Sequence, residues 1–368
     1  MTTAPVPHRL AGSPGPLAAV HDLALLDLDG VVYVGPAAVP RAVEAVAAIT
    51  RAGMRVCYVT NNASRPPGTV AEHLVELGIP AVQGDVVTSA QVAAALLARQ
   101  VPAGAAVLVV GGTGLREAVA EQGLRPVATV ADHPVAVVQG FGPDVGWRDL
   151  AEGAHAVRSG LPWVATNLDA TVPTPAGPAP GNGTLVHAVA TAAGRRPDQV
   201  AGKPEPAAFL EAVRRYGSSL PIVVGDRLDT DLAGARAAGI PGLAVLTGIA
   251  GVTDLLTAPP ALRPDHVGRD LGALLETHPP VTLDTATGSA ACRRATVTYT
   301  GPAGAALAVT LDTATVRTDG EPGDDALDVL RAACVLAWWV ADATGRPVDP
   351  APVVAAVLRL DPAAGWAR

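Results

Sequence analysis

The chain has 368 residues, a formal net charge of −8, 49% hydrophobic residues, 39 glycines and 34 prolines. At roughly 100–200 residues per domain, this length predicts two or three domains with sizeable cores. The acidic balance argues against a nucleic-acid-binding surface, because affinity for a phosphate backbone comes from clustered Lys and Arg.

The cysteines and the apolar segments indicate the compartment. Cys57, Cys292 and Cys334 lie far apart and form no Cys-x-x-Cys pair, so we expect reduced core residues of an intracellular protein. The first 20 residues hold no apolar region typical of a signal peptide, and no later segment reaches the roughly 18 uncharged apolar residues of a membrane span. The sequence predicts a cytoplasmic monomer or homodimer with no nucleic-acid or membrane partner.

Two blocks of the chain alternate short apolar runs with helical patterns, which is typical of a parallel sheet covered by helices. We expect them to share one sheet. The first block is predicted as strand Leu23–Leu28, helix Pro40–Ala52, strand Arg55–Thr60 and helix Thr69–Leu77. The second is predicted as helix Glu205–Tyr216, strand Pro221–Gly225, helix Asp229–Ala238 and strand Leu243–Leu246.

The segment between these blocks carries α/β patterns of its own and is predicted to be an inserted domain. Its expected elements are helix Ser89–Gln100, strand Ala106–Val110, helix Leu115–Gln122, strand Val135–Val138, helix Trp147–Arg158 and strand Trp163–Ala165. Alternating prolines and glycines from Pro173 to Gly183 then predict a loop.

After residue 280 the pattern changes to Thr-rich alternating segments, Ala295–Tyr299 and Leu307–Leu311, and then to two helices, Asp324–Ala343 and Pro350–Leu360. The sequence therefore predicts an α/β protein with a Rossmann-like parallel-sheet core, an inserted α/β cap and a small C-terminal α+β module. The expected limits are residues 21–83 and 185–278 for the core, 84–184 for the cap and 281–368 for the module, after a flexible segment of residues 1–20.

Two carboxylates lie at the end of the first predicted strand, in Asp27-Leu-Asp29-Gly-Val. Ligand sites of open α/β sheets lie at the carboxyl ends of strands, and carboxylates placed close together there favour a hard cation such as Mg²⁺. An ordinary polar turn explains the same residues. A second acidic cluster, Gly225-Asp226-Arg-Leu-Asp-Thr-Asp231, follows another buried strand and leads into a helix, whose N-terminus favours negative charge.

Two further motifs suit a bound anion. Val59-Thr60-Asn61-Asn62 offers a hydroxyl, amides and backbone N–H groups after a strand, although a helix-capping turn uses the same residues. Gly202-Lys203-Pro204 contains the one lysine among 26 basic residues. Because a compact ammonium and a planar guanidinium are not interchangeable, Lys203 is expected in a tight site, with chance survival as the alternative.

These four motifs, in this order and with a long insertion between the second and third, resemble those of the haloacid dehalogenase superfamily of phosphatases. The similarity is to the NagD-like branch, covers roughly residues 21–275, and includes Val110–Arg116, Ala165–Asp169 and Leu246–Gly248. The resemblance implies a Mg²⁺-dependent phosphomonoesterase that forms an aspartyl-phosphate.

The resemblance also implies a role for each motif residue. Asp27 would be the nucleophile and Asp29 the general acid and base. The metal ligands would be Asp27, the backbone carbonyl of Asp29, and Asp226. Thr60, the backbone of Asn61, and Lys203 would hold the phosphoryl oxygens, while Asp231 would support the metal or Lys203.

A large cap that closes over the core favours a small phosphorylated metabolite. Asn167, Asp169 and Thr171 offer polar groups for polyol hydroxyls, although their loop could equally be a flexible linker. No Trp, Tyr, Phe or His occurs between Asn167 and Thr184, which disfavours pyridoxal phosphate and nucleotides. All four of these substrate classes, phosphoglycolate, sugar phosphates, pyridoxal phosphate and nucleotides, stay open as alternatives. A non-catalytic phosphate-binding core with an acyl-CoA-binding tail is a further alternative, although such a core has no chemical reason to keep Asp27, Asp29, Lys203 and Asp226.

The whole chain resembles actinobacterial glycerol-3-phosphate phosphatases, whose C-terminal extension is described as acetyltransferase-like, and glycerol 3-phosphate is therefore the expected substrate. The segment Arg317–Pro322 matches an acyl-CoA pyrophosphate loop only in part, because Pro322 lacks an amide donor. A packing or dimerisation module is the favoured interpretation. We expect Trp338 and Trp339 to be buried rather than to bind a ligand.

Overall fold

The computed structural model describes residues 10–174, 176–299, 307–311 and 324–362. The predicted pyrophosphate-loop segment, Arg317–Pro322, lies outside these ranges. The helices are α1 Leu17–Val20, α2 Ala42–Arg51, α3 Pro67–Glu76, α4 Ser89–Ala98, α5 Thr113–Glu121, α6 Trp147–Arg158, α7 Asn182–Ala193, α8 Ala207–Tyr216, α9 Ala233–Ala238, α10 Val252–Leu256, α11 Asp324–Thr344 and α12 Ala351–Leu360.

The strands are β1 Leu23–Leu26, β2 Tyr33–Val34, β3 Ala37–Ala38, β4 Arg55–Thr60, β5 Val86–Thr88, β6 Ala106–Val110, β7 Arg125–Val127, β8 Ala136–Gln139, β9 Trp163–Ala165, β10 Thr171–Thr174, β11 Gly177–Pro180, β12 Gln199–Val200, β13 Pro221–Gly225, β14 Gly242–Val245, β15 His266–Gly268, β16 Thr282–Asp284, β17 Ser289–Cys292, β18 Ala295–Tyr299 and β19 Leu307–Leu311. Most predicted elements are present, with ends that differ by a few residues, which is where helices fray.

The chain divides into two compact units. The first contains Met1–Val56 and Ser218–Arg368, and the second contains Cys57–Gly217. The sequence-based division into core, cap and C-terminal module stays a prediction.

In the first unit, β15, β14, β13 and β1 lie side by side in that order, all parallel. β1 is buried along its whole length and β13 along most of it, as in parallel sheets that are covered on both faces. The pairing of Leu26 with Val224 places the carboxyl ends of β1 and β13 next to each other. The prediction that the two alternating blocks share a sheet is confirmed.

The C-terminal residues build a four-stranded antiparallel sheet in the order β16-β17-β18-β19, together with α11 and α12. The predicted α+β character is confirmed, although β16 and β17 were not predicted. Side chains of this sheet and of both helices share one hydrophobic core with residues of α10, β14 and β15. Trp338 is fully buried there and its Nε1 donates to the Leu255 carbonyl at 2.7 Å, so its predicted burial is confirmed. Trp339 packs against the same core but is only partly buried.

Residues 10–20 differ from the expectation of a flexible segment. Leu10 and Leu17 are buried, Ala11 N donates to the Asp265 carbonyl at 2.8 Å, and Ser13 N donates to the His278 carbonyl at 2.9 Å. Apolar side chains and paired backbone groups hold this segment in place, although its prolines suggested otherwise.

In the second unit, five parallel strands lie in the order β12-β9-β8-β6-β7, and β4 pairs with β5. The predicted proline-rich loop is wrong in part, because β10 and β11 form an antiparallel hairpin. Gly177, with φ of +113°, supplies the turn, and Thr174 Oγ1 donates to its carbonyl at 2.6 Å. Prolines are compatible with an isolated two-stranded ribbon because its outer edges need no N–H donors.

The three cysteines are buried and free, as predicted. Within the described ranges, no helix combines the length and the apolar content needed to cross a membrane.

Candidate active site

The first motif is a tight turn at the end of β1. Asp27 N donates to the Val224 carbonyl at 2.9 Å, which extends the strand pairing by one residue. The chain then turns at Gly30, whose φ of +89° favours glycine, and Gly30 N donates to the Tyr33 carbonyl at 2.8 Å. The turn leaves Asp27 partly buried and Asp29 exposed to solvent.

The second acidic motif follows β13 and is almost fully enclosed. Asp226 and Asp231 are each only 1% exposed. Ile249 N donates to Asp226 Oδ2 at 2.8 Å, and Arg227 N donates to Asp231 Oδ2 at 3.2 Å. Asp231 lies in a π-helical turn, Leu228–Leu232, a feature that often occurs at functional sites.

Asp27, Asp226 and Asp231 form the acidic cluster of the first unit. Each offers a carboxylate oxygen, and these three oxygens all lie within 4.8 Å of one another. Three carboxylates this close repel one another unless a cation offsets their charge, and hard oxygen donors suit Mg²⁺. The donor set therefore fits the metal that the sequence predicts.

Three glycines make room for this cluster. A Cβ on Gly30 would lie 2.5 Å from Asp226 Oδ2, and a Cβ on Gly248 would collide with the same carboxylate. A Cβ on Gly225 would collide with the side chain of Asp231. These glycines keep the carboxylates close to the backbone turns, a role that residue type alone did not reveal.

Asp229 lies in the same motif but outside the acidic cluster. Its carboxylate is 2.8 Å from the Arg227 guanidinium. Partial burial acts to raise the pKa of Asp229, but the hydrogen bond and charge of Arg227 outweigh it and lower the pKa. Asp229 therefore neutralises Arg227 rather than contributing to the cluster.

The predicted anion-binding residues lie in the second unit. Thr60 is 3% exposed and its Oγ1 accepts a hydrogen bond from Asn62 N at 3.1 Å. Because that bond uses an oxygen lone pair, the hydroxyl proton can be donated to a bound anion. Asn62 caps the following turn through its Oδ1, which accepts hydrogen bonds from Ser64 N and Ser64 Oγ at 2.9 and 3.0 Å. The capping alternative thus describes Asn62.

The side-chain amide of Asn61 pairs with both backbone groups of Lys203. Its Oδ1 accepts a hydrogen bond from Lys203 N at 2.8 Å, and its Nδ2 donates to the Lys203 carbonyl at 3.1 Å. Lys203 is 4% exposed and its Nζ donates to the Val59 carbonyl at 3.2 Å. The structure brings Thr60, Asn61 and Lys203 together, and it buries the sole lysine.

Asn167 and Asp169 join this network from the end of β9. Asn167 is 4% exposed, its Nδ2 donates to the Asn61 carbonyl at 2.8 Å, and its Oδ1 accepts a hydrogen bond from Asp169 N at 3.1 Å. Asn61 Nδ2 donates to Asp169 Oδ2 at 2.9 Å. Ser89, which the sequence analysis missed, donates from Oγ to the Asn61 carbonyl at 2.6 Å.

Asn167 has a role inside the protein. Both ends of its amide are engaged there, and they hold the Asn61 segment. Thr171 begins β10 and is exposed. The predicted substrate contacts of this segment, Asn167, Asp169 and Thr171, remain predictions.

The sequence is similar to those of known hydrolases. Residues 24–125 match the family model described as haloacid dehalogenase-like hydrolase, and residues 200–274 match a second, HAD-hydrolase-like model. A D-glycerol 3-phosphate phosphatase of Mycobacterium tuberculosis is 51% identical over 258 residues, which cover 70% of this chain and 72% of that protein. The chain belongs to the haloacid dehalogenase-like hydrolases. The family predicted from the four motifs is confirmed.

Other members of this family show how far the similarity extends. The crystal structure of a glycerol phosphate phosphatase from M. tuberculosis in complex with magnesium superposes with a TM-score of 0.80 at 42% identity, covering 94% of this chain and 98% of that one. A 5'-nucleotidase, YutF of Bacillus subtilis, is 36% identical over 61% of this chain and 87% of its own length. The structural similarity therefore includes most of the C-terminal residues, whereas the nucleotidase matches a shorter part of the chain.

Proposed function

We propose that this hydrolase is a Mg²⁺-dependent phosphomonoesterase whose substrate is glycerol 3-phosphate. The acidic cluster carries the proposal, because its three close carboxylates, one of them that of the nucleophile Asp27, suit a divalent cation. The similarity to the D-glycerol 3-phosphate phosphatase of M. tuberculosis and to the magnesium-bound glycerol phosphate phosphatase supports the substrate.

In the first half-reaction, a carboxylate oxygen of Asp27 bonds to phosphorus while the bond from phosphorus to the alcohol oxygen breaks. Asp29 donates its proton to that departing oxygen, which leaves as the free alcohol. In the second, Asp29 takes a proton from water, the water oxygen bonds to phosphorus, and the bond to Asp27 breaks. Phosphate leaves, and both aspartates return to their starting states.

The Asp27 carboxylate, the Asp29 carbonyl and the Asp226 carboxylate would hold Mg²⁺, with Asp231 in support. The bound ion would offset the negative charge that otherwise repels a phosphate dianion. Thr60, the Asn61 backbone and Lys203 would bind the phosphoryl oxygens, since phosphoryl transfer depends above all on positioning and charge neutralisation. Asp169 and Thr171 are our candidates for contacts with the glycerol hydroxyls.

A phosphate-release screen tests the proposal. Glycerol 3-phosphate should have the highest kcat/KM in a panel with phosphoglycolate, sugar phosphates, pyridoxal phosphate and nucleoside monophosphates, and removal of Mg²⁺ with EDTA should abolish release. A nucleotide with a higher kcat/KM would favour the second candidate, a nucleotidase like YutF. Absence of release from every ester would favour a non-catalytic phosphate-binding core.

We further propose that residues 281–368 serve packing and bind no acetyl-CoA. Support comes from Pro322 in the would-be phosphate loop and from the hydrophobic core that these residues share with β14, β15 and α10. Calorimetric titration with acetyl-CoA should give no heat of binding, and a micromolar Kd would refute this part. The free buried cysteines support a reducing compartment such as the cytoplasm.

A further inference from the structure

One short segment, Thr247–Ala250, contacts both acidic motifs of the first unit. Thr247 Oγ1 donates to the Gly30 carbonyl at 2.6 Å. Two residues later, Ile249 N donates to Asp226 Oδ2 at 2.8 Å, and Ala250 N donates to the Asp226 carbonyl at 2.9 Å. The segment therefore binds the turn that carries Asp29 as well as Asp226 itself.

The contact made by Thr247 bears on the orientation of the Asp29 carbonyl. That carbonyl belongs to the peptide between Asp29 and Gly30, whose N–H donates to the Tyr33 carbonyl at 2.8 Å. On the other side of Gly30, the next carbonyl is the one that Thr247 binds. Glycine has the widest choice of backbone dihedral angles, and Gly30 adopts φ of +89°. The backbone of the turn therefore offers little resistance to rotation, and the two hydrogen bonds hold the peptides on either side of Gly30 in place.

We propose that Thr247 is a positioning residue that sets the affinity for the divalent cation by fixing the direction of the Asp29 carbonyl. The inference rests on the proposed function, in which that carbonyl is a metal ligand. Groups that orient metal ligands are worth about 10–100-fold in metal affinity. Thr247 is separated from Asp29 by more than 200 positions in sequence, and the hydrogen bond to Gly30 connects them.

The neighbouring glycine supports the same role for the segment. Gly248 approaches the Asp226 carboxylate so closely that a Cβ there would overlap it. The segment thus lies against a metal-ligating carboxylate through Gly248 and Ile249, and against the carbonyl-bearing turn through Thr247. A loop that only filled space beside β14 would not need a hydroxyl aimed at a carbonyl.

Calorimetric titration of the metal-free protein with MgCl₂ tests the proposal without any turnover. Thr247→Val removes the hydroxyl at nearly constant shape and should raise the Mg²⁺ Kd about 10-fold or more. Thr247→Ser keeps the hydroxyl and should bind within about twofold of the wild type. At saturating Mg²⁺ the kcat of Thr247→Val should recover most of the wild-type value, because the reacting groups are unchanged.

Thr257→Val is the matched control. Its hydroxyl also donates to a carbonyl, that of Thr253 at 2.8 Å, but it is exposed at the end of α10. This variant should leave the Mg²⁺ Kd unchanged. If Thr247→Val does not fold, as judged by circular dichroism, Thr247→Ala removes the same hydroxyl with less bulk.

The outcomes separate this inference from the function on which it rests. An unchanged Kd in the folded hydroxyl-free variant, or an equal loss in Thr247→Ser, would overturn the role of Thr247 while leaving the metal site intact. A wild-type protein that binds no Mg²⁺, with Asp226→Asn indistinguishable from it, would instead overturn the proposed function.

Discussion

The ion pair between Arg263 and Asp342 joins the helix α11 to the segment before β15, and its removal should destabilise the first unit. Arg263 Nη1 and Nη2 donate to the two Asp342 carboxylate oxygens at 2.6 and 2.7 Å, and its Nε donates to the Ala258 carbonyl at 3.0 Å. The guanidinium lies 5.4 Å from the ring centre of Trp338. The Arg263 side chain is only 2% exposed, whereas that of Asp342 is 28% exposed.

The Asp342→Ala variant leaves this buried guanidinium without a carboxylate. Removing one partner of a buried pair typically costs about 3–5 kcal/mol, because the remaining charge has lost its solvation. Water reaches the Asp342 side, so we expect the lower end, about 3 kcal/mol. The free energy of unfolding of a typical domain is roughly 5–15 kcal/mol, so this loss is a large part of it.

Glu211→Ala is the matched control. Glu211 Oε1 lies 2.7 Å from Arg214, and its side chain is 26% exposed, close to the value for Asp342. The difference is that both arginines beside Glu211 reach water: Arg214 is 73% exposed, and Arg215, at 3.9 Å, is 28% exposed. Exposed helical pairs contribute little to stability because water screens their charges, so this variant should be nearly neutral.

Urea unfolding followed by tryptophan fluorescence measures both variants. With a slope of about 2 kcal/mol per M, a loss of about 3 kcal/mol moves the midpoint down by about 1.5 M. The urea midpoint of the Glu211→Ala control should shift by less than about 0.3 M. If the urea midpoints of both variants shifted by the same small amount, the C-terminal helices would not be an integral part of the first unit. The kcat of Asp342→Ala at low urea should equal that of the wild type.

Three further outcomes are expected. Asp27→Asn should retain the fold by circular dichroism and lose turnover, and retention of more than about a thousandth of the activity would contradict covalent catalysis. Lys203→Arg keeps the charge but should lower kcat severely, because the fork-shaped guanidinium does not fit an ammonium-sized buried site; a near-normal kcat would place Lys203 away from the phosphoryl group. Stability should fall as the pH drops from 6.5 towards 4. Burial and the nearby charge of Arg331 hold the pKa of His266 at about 4 and that of His278 at about 3, so the unfolded chain takes up protons in this range and the folded chain does not. The urea midpoint measured from pH 7.5 to 5 checks this, and His278→Gln should flatten the decline.

The buried strands and the catalytic motifs were readable from the sequence because both depend on residue type. Runs such as Pro221–Gly225 are apolar at every position, which is typical of a strand covered on both faces. Asp27 and Asp226 each directly follow such a run, and the family resemblance assigned both to one metal. The parallel pairing of β1 and β13 brings their carboxyl ends to one edge.

The strands β16 and β17 were missed for a physical reason. They are three and four residues long, rich in Ala, Ser and Thr, and separated by the turn that Asp284 stabilises through its Oδ1, which accepts a hydrogen bond from Ala286 N at 2.9 Å. No periodicity is detectable over so few residues. Their pairing with β18, and the burial of Ala290 and Cys292 under α11, determine the structure here, so tertiary contacts decide what the local sequence leaves open.

Asn167 shows where inference from residue type ends. A polar side chain in a loop near a catalytic edge can serve a ligand or a backbone carbonyl, and the two uses require the same amide. The choice depends on whether a carbonyl lies within hydrogen-bond distance. The backbone carbonyl of Asn61, 106 positions away in sequence, lies within that distance of Asn167 Nδ2. Ser89 makes the same bond from a third place in the chain. The residues that touch the substrate are constrained by chemistry and can be recognised in one sequence, whereas those that hold them in place are constrained only by position. Positioning residues such as Thr247, Ser89 and Asn167 are therefore identified by the fold.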